Sequence, residues 1–416
     1  MFRKLIAALI LFVLPACGDT MTSPDEPVPE AFADVTIIAV VPEGTGDVYL
    51  ATNRNGWSPD ASPMTPEGGA PNRRVAQLLL TEGFDLEYKF TLGSWAREAV
   101  DGAGLPLENA ILTASDGLSV THEIEGFKAD PETLLDTWQD AGILGTLIYW
   151  RDVESEFLDR TRNVSVWLPP GYAEAENEGV RYPVIYMTDG QNLFDPRIAN
   201  TGTDWGIDEA MMRGMESGAF PPAIVVAHWS TDMRGQEYSP WHDASKLAQF
   251  VKDELKPRVD QEFRTLTDRD NTFAMGSSMG GLYAMYLVME HAETFSACGC
   301  VSSHLPFSEA VIAQFQGQDP SEADETPYYL RDIEAGGLLI PDGARMFFDW
   351  GTATLDALYP PEHGKLREHF EAQGYAFGED YYLREYPGAE HNEAAWRTRV
   401  QDQLHWMLAR EIPPGE

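Results

Sequence analysis

Gly276-Ser277-Ser278-Met279-Gly280 has the spacing G-x-S-x-G, in which two small residues let a sharp strand-to-helix turn present a serine hydroxyl. At ordinary Gly and Ser frequencies of about 7% the pattern arises by chance in roughly one chain of this length in seven, so its setting has to decide. The setting fits: the strand-like Thr272-Phe273-Ala274-Met275 precedes it and a helical pattern over 282–289 follows. A frame centred on Ser277 would need glycine where Met275 stands, which leaves Ser278 as the candidate nucleophile.

A serine hydroxyl is a poor nucleophile at neutral pH and needs a histidine base, itself oriented by a carboxylate; on this kind of sheet the chain order is Ser, acid, His. Six histidines follow Ser278. His291 precedes any strand that could bear the acid, His304 follows the 298–301 strand too early, and His363, His369 and His405 sit in helical patterns. His391 remains, between the strand 381–386 and the final helix. His304 reads either as a pocket-lining residue or as a satisfied loop histidine. Two carboxylates, Asp349 and Asp356, lie near the end of the 345–350 strand and precede His391 as required. The attacked carbonyl also needs N–H donors for its oxyanion, one following the nucleophile and one from an early strand-to-helix loop. Met279 offers the first; Gln191, in Asp189-Gly190-Gln191-Asn192 after the strand 184–187, offers the second. Such chemistry proceeds through an acyl-enzyme with no metal or organic cofactor, and no clustered metal-ligand spacing is present.

These residues need a scaffold, and from about residue 143 the chain supplies strands alternating with helices. Apolar runs at 147–151, 163–168, 184–187, 223–227, 272–275, 298–301, 345–350 and 381–386 are separated by helical stretches such as 204–216, 245–259, 281–291, 361–373 and 393–410. The pattern predicts an α/β domain, a mostly parallel sheet covered on both faces, with ligands at the carboxyl ends of its strands. Residues 34–127 differ: short β-rich runs at 35–41, 48–51, 75–80, 86–92 and 118–124, divided by turn residues, predict a small all-β sandwich. Residues 128–142, with Leu134, Leu135 and Trp138, read as a short helical connector that packs on something.

With that constellation in view, residues 143–410 resemble the esterase D family of α/β hydrolases, which includes feruloyl and acetylxylan esterases, siderophore esterases and the antigen 85 mycolyltransferases. The resemblance rests on Asn163–Tyr172, Tyr182–Phe194, Arg234–Pro240, Gly276–Gly281 and Gly388–Trp396. It implies an α/β-hydrolase fold and Gln191 as second oxyanion donor. In the family the acid follows a glycine; after Gly351 the sole carboxylate of the segment ending at Asp356 is Asp356 itself, which the resemblance therefore implies as the acid. The expected function is hydrolysis of a sugar-linked ester of acetyl or feruloyl type, with a siderophore lactone, acyl transfer to a sugar, or non-catalytic glycan binding as alternatives. The first domain is similar to a starch-binding carbohydrate module, through Asn55-Gly56-Trp57-Ser58-Pro59 and Glu87-Tyr88-Lys89-Phe90. That similarity implies Trp57, Lys89, Trp95 and Asn109 as sugar contacts and a polysaccharide as partner.

The chain start and the composition bound where this chemistry would happen. Arg3 and Lys4 precede ten apolar residues, too few to span a bilayer, so residues 1–16 read as a signal peptide. Leu14-Pro15-Ala16-Cys17 resembles the lipobox of bacterial lipoproteins, which implies lipidation at Cys17 and a membrane anchor, to the outer membrane in a Gram-negative host. Residues 17–33, rich in Pro, Asp, Glu, Ser and Thr, read as a tether. The 67 acidic against 29 basic residues give a net charge of −38, which argues against nucleic acid as a partner. Three cysteines cannot build a disulfide framework, and Cys298 and Cys300 lie in an apolar run as core thiols.

Overall fold

The computed structural model describes residues 31–102, 104–315 and 320–414. Cys17, the 1–16 leader and most of the 17–33 tether lie outside them. The described chain forms two compact units: one runs to Ser94 and takes in Glu98–Gly102 and Leu107–Phe127, and the other holds Trp95–Arg97, a short piece ending at Pro106, and everything from Lys128.

In the first unit, strands β1 (Phe32–Val40), β2 (Tyr49–Thr52), β3 (Thr65–Glu67), β4 (Ala70–Thr81), β5 (Asp85–Thr91), β6 (Ala99–Val100), β7 (Ala110–Thr113), β8 (Ser119–Glu123) and β9 (Gly126–Phe127) form a sheet of order β3-β4-β1-β8, a sheet of order β2-β5-β7 and a short β6–β9 ribbon. Along β1 every second residue is buried, with Ala33, Val35, Ile37 and Ala39 inside; Leu86, Tyr88 and Phe90 of β5 join the same core. The short strands β3, β6, β7 and β9 escape the sequence pattern. None is longer than four residues, too few to display an alternation.

The second unit is built on an eight-stranded sheet: β10 (Thr146–Val153), β11 (Arg162–Leu168), β12 (Val184–Met187), β13 (Ile224–His228), β14 (Thr272–Ser277), β15 (Ala297–Val301), β16 (Arg345–Gly351) and β17 (Tyr381–Tyr386), in the order β10-β11-β13-β12-β14-β15-β16-β17. β11 pairs antiparallel with β10 and β13, and every pairing from β13 onward is parallel. Val184 and Tyr186 of β12 fall in one apolar cluster, Ile185 and Met187 in another, so the strand is buried on both faces. The helix Met279–Glu290 packs on the first side; Ile207–Glu216 and Glu393–Ala409 pack on the second. This is the α/β-hydrolase architecture, preceded by a small β domain.

The connector forms a turn of helix at Pro131–Leu134, capped by the Asp130 carboxylate on the Glu132 N–H (3.1 Å), then a 3-10 stretch at Leu135–Ala141. Its Trp138 packs against the second cluster. The 245–259 helical pattern is three pieces, Ala244–Gln249, a wide π turn at Phe250–Leu255, and Lys256–Glu262. Pro257, just inside the last piece, has no N–H to give the preceding turn and crowds its carbonyls, which the wider turn accommodates.

Candidate active site

β14 ends at Ser277 and the helix begins at Met279, leaving Ser278 alone at the turn with φ 55° and ψ −119°. A non-glycine residue there is strained, and its surroundings hold it. The Ser278 N–H is bound by the Val301 carbonyl (2.9 Å), and a Cβ on Gly276 would stand 2.4 Å from the Gly280 carbonyl oxygen. A Cβ on Gly280 would in turn meet Thr188 Oγ1 at 2.3 Å. Both glycines of the motif are therefore required by close approach. The Met279 N–H, first of its helix, has no intrahelical acceptor and lies at the positive end of the helix dipole.

His391 stands in the loop between β17 and the last helix. Its N–H is held by Thr354 Oγ1 (2.8 Å), and its ring Nδ1 meets Asp356 Oδ1 at 2.6 Å. Asp356 lies in the 3-10 turn Thr354–Leu358 after β16, fully buried. Its other oxygen accepts from Ser302 Oγ (2.5 Å), the Gly351 N–H (2.6 Å) and Arg399 Nη2 (3.4 Å). Burial works against this carboxylate, but the bonds from His391, Ser302 and Gly351 outweigh it and hold its pKa below the ordinary value. Asp349, still inside β16, is equally buried but faces Gln403 Nε2 (2.7 Å), the Ser302 N–H (3.2 Å) and the Arg399 guanidinium, and has no bond to His391. Burial raises its pKa. A Cβ on Gly351 would lie 2.1 Å from the Ala389 carbonyl oxygen, so glycine lets the end of β16 pass under the histidine loop. Among the described residues no hydrogen bond within 3.5 Å joins Ser278 Oγ to the His391 ring; that contact is commonly loose before substrate binds.

The loop after β12 is held from beneath. Asp189, at φ 55°, takes both oxygens to Arg234, Nε and Nη2 each at 2.8 Å, and its N–H to Tyr238 Oη at 3.2 Å. The Arg234–Pro240 landmark thus braces the Asp-Gly landmark. Gly190 is needed because a Cβ there would stand 2.5 Å from the Ala227 carbonyl oxygen. The Gln191 side chain is spent on Ser230, donating to Oγ (2.5 Å) and accepting from N–H (3.1 Å), so the backbone of Gln191 is what the loop can offer an oxyanion.

Sequence reasoning did not single out Ser302, Arg399, Trp396 or Tyr359. Ser302 Oγ receives Trp396 Nε1 (3.0 Å) and Arg399 Nη2 (2.5 Å) while donating to Asp356. Trp396 and Arg399 share one face of a helix at i and i+3, which the 393–410 pattern contained without marking them as polar.

The four sugar-contact candidates are not in one unit: Trp95 belongs to the second, and Trp57, Lys89 and Asn109 to the first. Trp57 is half-buried at φ 61° in the turn after β2, its N–H on the Thr52 carbonyl (2.8 Å). Lys89 Nζ pairs with the buried Glu98 at 2.8 Å, and Asn109 Nδ2 lies 3.5 Å from Glu87. Cys298 and Cys300 are fully buried, with their sulfurs 3.3 Å apart.

Among the described residues one carboxylate trio, Asp204, Asp208 and Glu209, lies close enough to suit a cation. Arg397 already occupies it, 2.7 Å from both Asp204 oxygens and paired with Glu209. Asp208 Oδ1 and Glu209 Oε2 are both buried without a hydrogen-bond donor, and one shared proton satisfies the two. Burial and that bond push the Asp208 pKa up to about 8. The trio therefore reads as an ion-pair cluster.

A serine strained at the end of the fifth strand of a mostly parallel sheet, a carboxylate after the seventh and a histidine after the eighth define an α/β hydrolase. The chain belongs to the Esterase family, whose model matches residues 155–407, more than half its length. An endo-1,4-beta-xylanase/feruloyl esterase of Xylanibacter ruminicola is 26% identical over 228 residues, 50% of this chain and 30% of that protein. The chain spans less than two thirds of the length of the curated relatives it matches first. Among solved structures, a ferulic acid esterase superposes with TM-score 0.49 at 18% identity, covering 64% of this chain and 98% of its own. The enterobactin esterase FES from Shigella flexneri does so with TM-score 0.49 at 16% identity, covering 92% and 95%.

Proposed function

We propose that the protein is a serine carboxylic ester hydrolase working through Ser278, His391 and Asp356. The observation that carries the reading is the 2.6 Å contact between His391 Nδ1 and the buried Asp356, at the same edge of strand ends as the strained Ser278. In this mechanism Ser278 Oγ attacks the ester carbonyl carbon as its proton passes to His391 Nε2. The negative charge that develops on the carbonyl oxygen is taken by the N–H groups of Met279 and Gln191. Collapse expels the alcohol, which receives the proton from His391 and leaves an acyl-Ser278 ester. Water, deprotonated by His391, attacks that ester and releases the acid. Asp356 holds the imidazole in the tautomer with its proton on Nδ1 and stabilises the imidazolium.

The substrate proposed is a sugar-linked ester of acetyl or feruloyl type. Its support is the resemblance of the first domain to a carbohydrate module and the identity shared with a feruloyl esterase-bearing xylanase. On this reading Trp57, with Lys89 and Asn109, contributes to sugar retention, and Cys17 carries lipid that holds the enzyme to the cell envelope. The deciding experiment is Ser278→Ala, which should lower hydrolysis of an activated aryl ester by at least roughly a thousandfold without loss of folding, with Ser277→Ala far milder. Near-parental turnover in Ser278→Ala would reject the mechanism. A screen of acetylated and feruloylated glycans beside siderophore lactones identifies the ester. Loss of an acyl label and of membrane fractionation in Cys17→Ser tests the anchor, and Trp57→Ala with unchanged polysaccharide retention would remove the sugar-binding role.

A further inference from the structure

Val301-Ser302 is one dipeptide that touches two members of the catalytic set. The Val301 carbonyl accepts the Ser278 N–H (2.9 Å), and the Ser302 hydroxyl reaches Asp356 Oδ2 (2.5 Å). Ser302 follows directly on β15, is fully buried, and stands at φ 42°, where a non-glycine residue is strained. Its own N–H, on Asp349 Oδ1 (3.2 Å), helps to hold it there.

The partners of the hydroxyl fix the direction of every hydrogen bond it makes. A serine Oγ has one proton and two lone pairs. Trp396 Nε1 (3.0 Å) and Arg399 Nη2 (2.5 Å) can only donate, and together they take both lone pairs. The proton of Ser302 is thereby left for Asp356, whose ionised carboxylate can only accept. Arg399 Nη2 itself stands 3.4 Å from the same carboxylate oxygen, long for a charge-assisted bond, so its firmer contact with Asp356 runs through the serine. Ser302 and the Gly351 N–H hold Oδ2, and Oδ1 is left facing His391 Nδ1.

The other titratable groups around this carboxylate are Asp349 on β16, His304 just after Ser302, and Tyr359 and His363 beyond the Asp356 turn. The Tyr359 ring stands edge-on to both His304 and His391, with centroids 5.8 and 5.7 Å away. Burial lowers the pKa of His304 and His363 to about 4 and raises that of Tyr359 well above its usual value, so all three are neutral near pH 7. They add no cation to compete with Arg399.

We propose that Ser302 is a positioning residue for the triad: it stops the Asp356 carboxylate from rotating and couples it to the buried Arg399 guanidinium, which draws part of its charge away from His391. This rests on the esterase reading above. Ser302 acts only through Asp356, so its loss should be felt in turnover and not in substrate binding. Without the hydroxyl, more of the carboxylate charge faces His391 and favours the protonated imidazole, which cannot act as a base. The carboxylate also loses one of the bonds that, against burial, keep it ionised. Both effects move the acid limb of the kcat/KM profile to higher pH.

The test uses Ser302→Ala in the full chain with an activated aryl ester, and Ser302→Gly beside it, because glycine removes the strain at φ 42° should alanine fail to fold. Either folded variant should lose about tenfold to a hundredfold in kcat, the scale of one hydrogen bond to a charged group, with KM within about twofold and the acid limb shifted upward. Ser302→Cys, which keeps a weaker donor, should fall between these variants and the parent. In an Asp356→Asn background, Ser302→Ala should cost no more than about threefold further, since the group it acts through is already gone. A folded Ser302 variant with parental kcat and acid limb and only a lower Tm would make the serine a packing residue and overturn the proposal. Losses that multiply in the double variant would overturn it too, while leaving Ser278, His391 and Asp356 in their roles. A parent neither labelled by a fluorophosphonate nor active on any ester would overturn both this proposal and the esterase reading.

Discussion

Asp349 and Asp356 share one guanidinium but not one role: Arg399 lies 3.1 Å from the first through Nε and 3.4 Å from the second through Nη2, and of the two only Asp356 bonds His391. Asp356 sits beyond Gly351 in a turn that bends it back over the strand end; Asp349 is still held by the alternation of β16.

The first prediction follows from that division. Asp356→Asn should fold and lose about 10⁴ in kcat, since an amide in place of the carboxylate favours the wrong histidine tautomer. Asp349→Asn should chiefly lower Tm, because Arg399 then loses its ion pair in a fully buried site. Kinetics and thermal melts of the two variants decide it, and an inactive, stable Asp349→Asn beside an active Asp356→Asn would reverse the assignment.

Gly190→Ala should cripple turnover more than binding. The added methyl would meet the Ala227 carbonyl oxygen at 2.5 Å, a backbone atom that cannot swing aside, so the loop carrying Gln191 must move. Loss of one oxyanion donor typically costs about 10² to 10³ in kcat. Steady-state kinetics on an activated ester measure this; a kcat within about threefold of the parent would show that Gln191 lies outside the oxyanion site.

Asp208 makes stability depend on pH. Its folded-state pKa stands at about 8 against an ordinary 3.8, so between these values the native state holds a proton that the unfolded chain lacks. The resulting stabilisation is complete below about pH 4 and is lost as pH rises through about 8. Asp208→Asn keeps an acceptor for the Leu144 N–H and places a permanent donor toward Glu209. The fall in Tm from pH 5 to pH 9 should therefore be smaller in Asp208→Asn than in the parent. Parallel Tm–pH curves would mean that no proton is shared.

Much of this protein is legible in local order. The G-x-S-x-G spacing between a strand pattern and a helix pattern marks Ser278, because close approach at Gly276 and Gly280 admits nothing larger. The eight apolar runs each correspond to a strand of the sheet within two residues at either end, since burial on both faces leaves continuous hydrophobic stretches. Elimination among six histidines brings out His391 because helical periodicity and chain order are themselves properties of the sequence. In the first unit β1, β2, β4, β5 and β8 correspond to β-rich runs of the sequence, and the short strands β3, β6, β7 and β9 do not.

Tertiary structure alone decides what approaches what across long separations. That His391 meets Asp356 and not Asp349 depends on how far the chain turns after Gly351, and no periodicity encodes that turn. That Arg234 supports Asp189 over 45 residues, that Ser302 gathers Trp396 and Arg399 over more than 90, and that Tyr359 stands between two imidazoles are consequences of strand order. Parallel pairing carries β15, β16 and β17 side by side, so that residues far apart in the chain arrive at one row of carboxyl ends, where the peptide and side-chain groups freed from the sheet have to satisfy one another.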